Sequence, residues 1–169
     1  MTPPKIERHT IAVLVDNEAG VLARVVGLFS GRGYNIESLT VAEVDPNAHT
    51  SRITIVTSGS VEVLEQIRAQ LGRLVPVQNV VDWTIDKPGI EREMALIKVA
   101  GTGEKRVEAL RMAGAFRARP VDTTHTSFVF EITGAPSKLD TFIDLMRPLG
   151  LVEVSRTGVA AISRGPGAM

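Results

Sequence analysis

With 169 residues, 44% of them hydrophobic and 22% charged, the chain has an ordinary globular balance, enough for one domain or two small ones of about 80 residues each. Lys plus Arg total 19 and Asp plus Glu total 19, and this zero net charge argues against a nucleic-acid binder, whose affinity rests on cationic contacts to phosphate. The absence of cysteine excludes disulfides, thiolate nucleophiles and thiolate metal sites. No apolar run approaches the ~20 residues that cross a bilayer, and Met1 to Lys5 lead into no apolar segment of a signal peptide. The simplest expectation is a cytoplasmic protein. Five Phe, one Tyr and one Trp leave a thin, aliphatic core that a partner or dimer interface would help to stabilise.

His9 to Val15 is β-branched or aliphatic and reads as a strand buried on both faces, stopped by the polar turn Asp16 to Gly20. Val21, Leu22, Val25, Val26, Leu28 and Phe29 recur at helical spacing, and Gly31 and Gly33 close that helix. Tyr34 to Val44 is a second predicted strand, turned at Asp45-Pro46-Asn47. Arg52 to Thr57 is a third, with Ile53 and Ile55 on one face. Val63, Leu64, Ile67, Leu71 and Leu74 form the stripe of a second helix with Ser60 as N-cap, and Val77 to Ile85 is a fourth strand.

The β-α-β-β-α-β order then repeats. Met94 to Ala100 is a strand followed by the turn Gly101-Thr102-Gly103. Val107, Leu110 and Gly114 share one face of a helix ending near Phe116. Arg119 to Thr124 and Phe128 to Thr133 pair as strands, and Leu139, Phe142, Ile143 and Met146 mark a helix begun at Pro136-Ser137. Leu151 to Ser155 and Val159 to Ile162 are extended, and Gly165 to Met169 is expected to be a loose tail. His9 aligns with Met94 and Val63 with Lys138, so the repeat is one of architecture. The expected fold is α+β, two tandem ferredoxin-like βαββαβ domains, residues 1–86 and 87–169, each a four-stranded antiparallel sheet with helices on one face. Nothing in the pattern covers the other sheet face, which is expected to pack against another copy.

No catalytic set is visible. The three histidines, His9, His49 and His125, lack metal-ligand spacing, and no carboxylate pair stands in apolar surroundings. Gly31-Arg32-Gly33 ends a helix instead of opening one, so it cannot aim amides at a phosphate. RNA-recognition modules share this fold but stack bases on strand aromatics, where this chain has Ile53, Ile55 and Val56.

The informative segments are Asp16 to Leu22 and Tyr34 to Ala42. The first leads from a strand into a helix start, where amides near Gly20, Val21 and Leu22 with the helix dipole behind them suit a carboxylate. Gly20 lets a ligand approach the backbone, Asn17 and Asn35 both donate and accept, and Ile36 and Val21 would line a small aliphatic slot. The plainer alternative is that Gly20 shapes the turn and Asn17 caps the helix.

The run Asp16 to Val25 resembles an ACT-domain signature, and Gly27 to Val41 closely resembles the small, regulatory subunit family of acetolactate synthase (acetohydroxyacid synthase). Ser51 to Ile55, Leu64 to Ile67, Gln70-Leu71, Glu91 to Glu93, Ser155 to Gly158 and Ser163 to Gly165 continue the resemblance over nearly the whole chain. It implies an ACT domain for effector binding and dimerisation, followed by an ACT-like C-terminal domain. It further implies no active site or metal in this chain, with thiamine diphosphate, magnesium and FAD on a large catalytic partner, a transferase. The small subunit would activate that partner and confer feedback inhibition by valine or another branched-chain amino acid. The effector contacts would fall on Asn17, Gly20, Val21 and Leu22 of one protomer and Asn35 and Ile36 of its partner, with Ala42 modulating feedback. No nucleic acid or membrane is implied. The second repeat departs from this pattern, aligning Thr102 with Asn17, Lys105 with Gly20 and Pro120 with Asn35. A stand-alone ACT amino-acid sensor acting on another protein is the alternative.

Overall fold

The computed structural model describes residues 3–87 and 89–169. Its chain divides into two units, Met1–Ile90 with Val159–Met169, and Glu91–Gly158. In the first, β1 (Glu7–Asp16), α1 (Val21–Gly31), β2 (Ser38–Asp45), β3 (Thr50–Gly59), α2 (Val61–Leu71) and β4 (Val77–Asp82) follow one another. The antiparallel sheet has the order β2-β3-β1-β4, the ferredoxin-like arrangement. Alternation sends Ile11, Val13, Val15, Ile53 and Ile55 to one face, where they meet Val25 and Phe29 of α1 and Leu64, Ile67 and Leu71 of α2.

The expected β2 is shortened at its start. Tyr34 N–H bonds to Phe29 O, and Gly33 takes φ +71°, so the chain is still closing α1 when the β-branched run begins. β4 stops at Asp82 because its carboxylate accepts the Thr84 N–H at 2.8 Å while its carbonyl accepts from Asp86, turning the chain. The same aspartate holds buried His9 by a 2.5 Å bond to Nδ1. Ser60 caps α2, its hydroxyl oxygen accepting the Val63 N–H.

The second unit contains β5 (Gly89–Ala100, entering from the first), α3 (Gly103–Ala115), β6 (Arg119–Thr123), β7 (Ser127–Gly134), α4 (Pro136–Met146), a 3₁₀ turn (Arg147–Leu149) and β8 (Leu151–Arg156). Its strands run β6-β7-β5-β8. The predicted face of α3 is reversed. Ala109 and Ala113 are buried, whereas Val107 and Leu110 stay exposed at 63% and 47%. The aromatic cluster Phe116, Phe128, Phe130 and Phe142 occupies this core, and α3 meets it through Ala109, Met112 and Ala113.

The last segment of the chain returns to the first unit. β9 (Ala160–Ser163) belongs to the first unit, as does Gly89 at the opening of β5, which lies against Ile162 O. Its segment lies on the sheet face opposite the helices. Val159 N–H donates to Ser38 Oγ at 3.0 Å, and Arg52 Nη2 donates to Ala161 O at 2.6 Å while stacking over Trp83. Ala161 packs with Ala12, Val81, Trp83 and Met169, so this face is covered in part by the chain itself. The tail is correspondingly tied, Ser163 Oγ to Gly167 O and Lys87 Nζ to Ala168 O.

Candidate functional site

The end of β1 and the start of α1 form the candidate site. Asp16 is pinned by its N–H to Pro76 O at 2.8 Å and by Gln78 Nε2 to its carboxylate. Asn17 N–H bonds to His49 O, and its side-chain Nδ2 donates to Glu43 Oε1 at 3.2 Å, leaving the amide oxygen as an acceptor. Gly20 is the N-cap at φ +84°, a left-handed conformation that leaves α1 with no side-chain cap. Val21 N–H turns back to Glu18 O, and Arg24 N–H reaches Gly20 O. The amides of Leu22 and Ala23 have no acceptor among the described residues, so two donors stand open at the positive end of the helix dipole.

Side chains divide accordingly. Val21 is 8% exposed and joins the core, so its side chain does not line an outward slot; Leu22, at 39%, is the apolar group facing out. Asn17 is exposed, and Glu43 places a carboxylate beside it. Neither Glu43 nor the Ala23 amide was legible in the linear sequence. Glu43 arrives because β2 and β1 both pair with β3 at Ser51, a register the order of elements does not specify.

Asn35 and Ile36 are not brought to this place. They lie beyond the other end of α1, whose 11 residues span about 16 Å. The sheet separates them likewise: Asp16 pairs with Thr50, whereas Ser38 pairs with Val56, six residues or about 20 Å along β3. Asn35 is exposed, its carbonyl accepting the Thr57 hydroxyl at 2.6 Å, and Ile36 is half-buried on the core edge. Ala42 lies exposed on β2 opposite Arg52, the residue that grips Ala161. In the second unit α3 begins at Gly103 with Thr102 as N-cap, so the counterpart of Gly20 is Thr102 and not Lys105.

A βαββαβ sheet with a glycine-opened, uncapped helix start after its first strand defines an ACT-type domain, and a second unit of the same order follows it. Comparison with known proteins agrees. The model of the AHAS small subunit-like ACT domain matches residues 11–79, and that described as small subunit of acetolactate synthase matches residues 92–165. A probable acetolactate synthase small subunit of Archaeoglobus fulgidus is 48% identical over 158 residues, 94% of this chain and 98% of that one. The acetolactate synthase isozyme 3 small subunit of Escherichia coli is 44% identical, covering 94% of this chain and 96% of its own. The crystal structure of the acetolactate synthase small subunit of Thermotoga maritima superposes with TM-score 0.82 at 36% identity, covering 95% of this chain and 99% of that one. The chain belongs to the acetolactate synthase small subunit family. Among the described residues no group of His, Cys, Asp and Glu is arranged to hold a metal, and no helix is long and apolar enough to cross a membrane.

Proposed function

We propose that this chain activates a large catalytic subunit of acetolactate synthase and makes it sensitive to valine or a related branched-chain amino acid. The observation that carries the reading is family membership over 94% of the chain at 48% identity. The decarboxylating condensation of two 2-keto acids, with thiamine diphosphate, magnesium and FAD, is assigned to the large subunit.

The effector lies between two ACT domains of paired chains. Its carboxylate takes the Leu22 and Ala23 N–H groups at the helix start, where Gly20 offers no Cβ to block approach. Its ammonium takes the asparagine amide oxygens, Asn17 from one protomer and Asn35 from the other, with Glu43 adding negative charge nearby. Leu22 and the partner's Ile36 bound the aliphatic side chain. The 16–20 Å separation of the two half-sites supports a site completed by a second copy, since one chain cannot close both halves on a single amino acid. Ligand then binds the paired form alone and stabilises it by mass action. A coupling of about 1–3 kcal/mol to the catalytic subunit produces several-fold to hundred-fold control.

Mixing the chain with purified large subunit and following acetolactate formation tests this directly. Activation by the chain, and inhibition of that activated rate by valine, are expected; absence of both rejects the reading. Gly20→Asp sets a carboxylate against the ligand's own and abolishes valine sensitivity while activation remains. Gly20→Asn is the matched control, because Asn tolerates the left-handed backbone as Asp does but carries no charge. Full valine sensitivity in Gly20→Asp would remove the helix start from the effector site.

A further inference from the structure

The outer face of the first unit's two helices carries a groove of about 890 Å³ with no carboxylate in its lining, edged by Arg24 and Arg32 of the α1 segment and Arg73 after α2. All three arginines are exposed, and among the described residues no hydrogen-bond or ion-pair partner faces any of the three guanidinium groups. In a chain whose charges cancel, 19 against 19, three unpaired cations around one groove are a local excess.

The floor is built from α1 residues without side chains. Gly27 and Gly31 are one turn apart, neither has a positive φ, and a Cβ built on either meets nothing within 4 Å. Glycine inside a helix lowers its stability relative to alanine, so Gly27 weakens α1 although the chain's own packing does not call for it, and Gly31 ends the helix. Their absence of side chains does admit a second backbone at close range. Leu28 lines the same groove, and beside it Val75 stands 94% exposed, an apolar contact point next to the charges.

We infer that this groove docks an acidic helix of the large catalytic subunit, its backbone seated over Gly27 and Gly31 and its carboxylates paired with Arg24, Arg32 and Arg73. Charge complementarity selects the occupant: the planar guanidinium groups suit carboxylates in two-bond geometry, and the glycine floor suits the approach of a helix. The inference rests on the proposed regulatory role and adds the surface through which it acts.

The test measures affinity for purified large subunit by titration calorimetry, from about 50 mM to about 300 mM salt, alongside activation of acetolactate formation. Arg32→Gln/Arg73→Gln is expected to bind about tenfold or more weakly and to lose much of the wild-type salt dependence. Gly27→Ala is expected to raise the Tm of the isolated chain while weakening the complex, opposite changes that a purely structural glycine would not produce. Wild-type affinity and salt dependence in both variants would overturn the docking inference and leave the regulatory role standing. Weaker self-association of the double variant with unchanged large-subunit affinity would assign the face to contacts between copies and overturn it equally. Binding without activation would reject the regulatory role alone, and no binding by wild type would reject both.

Discussion

Glu93 is a carboxylate with only 4% of its side chain exposed, held by the two-bond fork of Arg156 at 2.9 and 2.7 Å. The third guanidinium nitrogen reaches Asp140 at 2.6 Å, and the bonds to Glu93, ahead of those to Asp140, hold Arg156 in its charged form well above the usual arginine range. Removing one partner strands a buried charge, which costs far more than the pair is worth against water. Arg156→Ala is therefore expected to destabilise the chain by about 3–5 kcal/mol in urea unfolding, and Arg156→Lys to recover only part, because an ammonium cannot make the parallel bonds. A loss below about 1 kcal/mol would mean that water reaches Glu93 and serves it equally well. Arg156 lay within a segment of family resemblance, but its partner, 63 positions away, is set by the pairing of Ala95 with Arg156 in the sheet.

At the scale of elements, the turn into β8 shows how closely two strands meet. Gly150 takes φ +105°, and a Cβ there would stand far inside contact distance of Ala100 O, whose own N–H bonds to Gly150 O at 2.9 Å. Gly150→Ala is expected to cost at least about 2 kcal/mol, from the left-handed backbone and displacement of β5 from β8 together. Unfolding at the wild-type urea midpoint would show that the turn relaxes without strain. Elements with a local cause were readable in the residues: Ser60 caps α2, and the alternation of Phe128, Phe130 and Ile132 sends all three to the core. The inward face of α3 was not. Val107 and Leu110 have the right spacing for a core stripe, yet Ala109, Met112 and Ala113 face the phenylalanine core instead, a choice set by tertiary packing.

Across the whole chain, the segment after Gly158 returns to the first unit and shields Trp83, the single tryptophan, which is 5% exposed. A chain ending at Gly158 loses the Arg52–Ala161 and Ser38–Val159 bonds and uncovers Ala12, Val81 and Trp83. Its tryptophan emission is expected to shift to the red and become accessible to acrylamide. Unchanged emission would mean that the strap contributes no cover. Because Ser38 follows Asn35 and Ile36, the proposed second half of the effector site, and Arg52 faces Ala42, the same truncation is expected to alter the proposed valine response in the assembled enzyme.

Two βαββαβ units and a glycine-opened helix start could be read from the residues alone, because strand alternation, helical spacing and turn chemistry act over a few neighbouring positions. The orientation of α3, the Glu43 carboxylate beside Asn17 and the return of the last strand were decided by tertiary structure. Each depends on which distant segments share a sheet and how much volume remains between them, and no local periodicity encodes that. The proposed effector site divides along the same line: its donors come from one helix start, while α1 and β3 hold Asn35 at the far end of the unit.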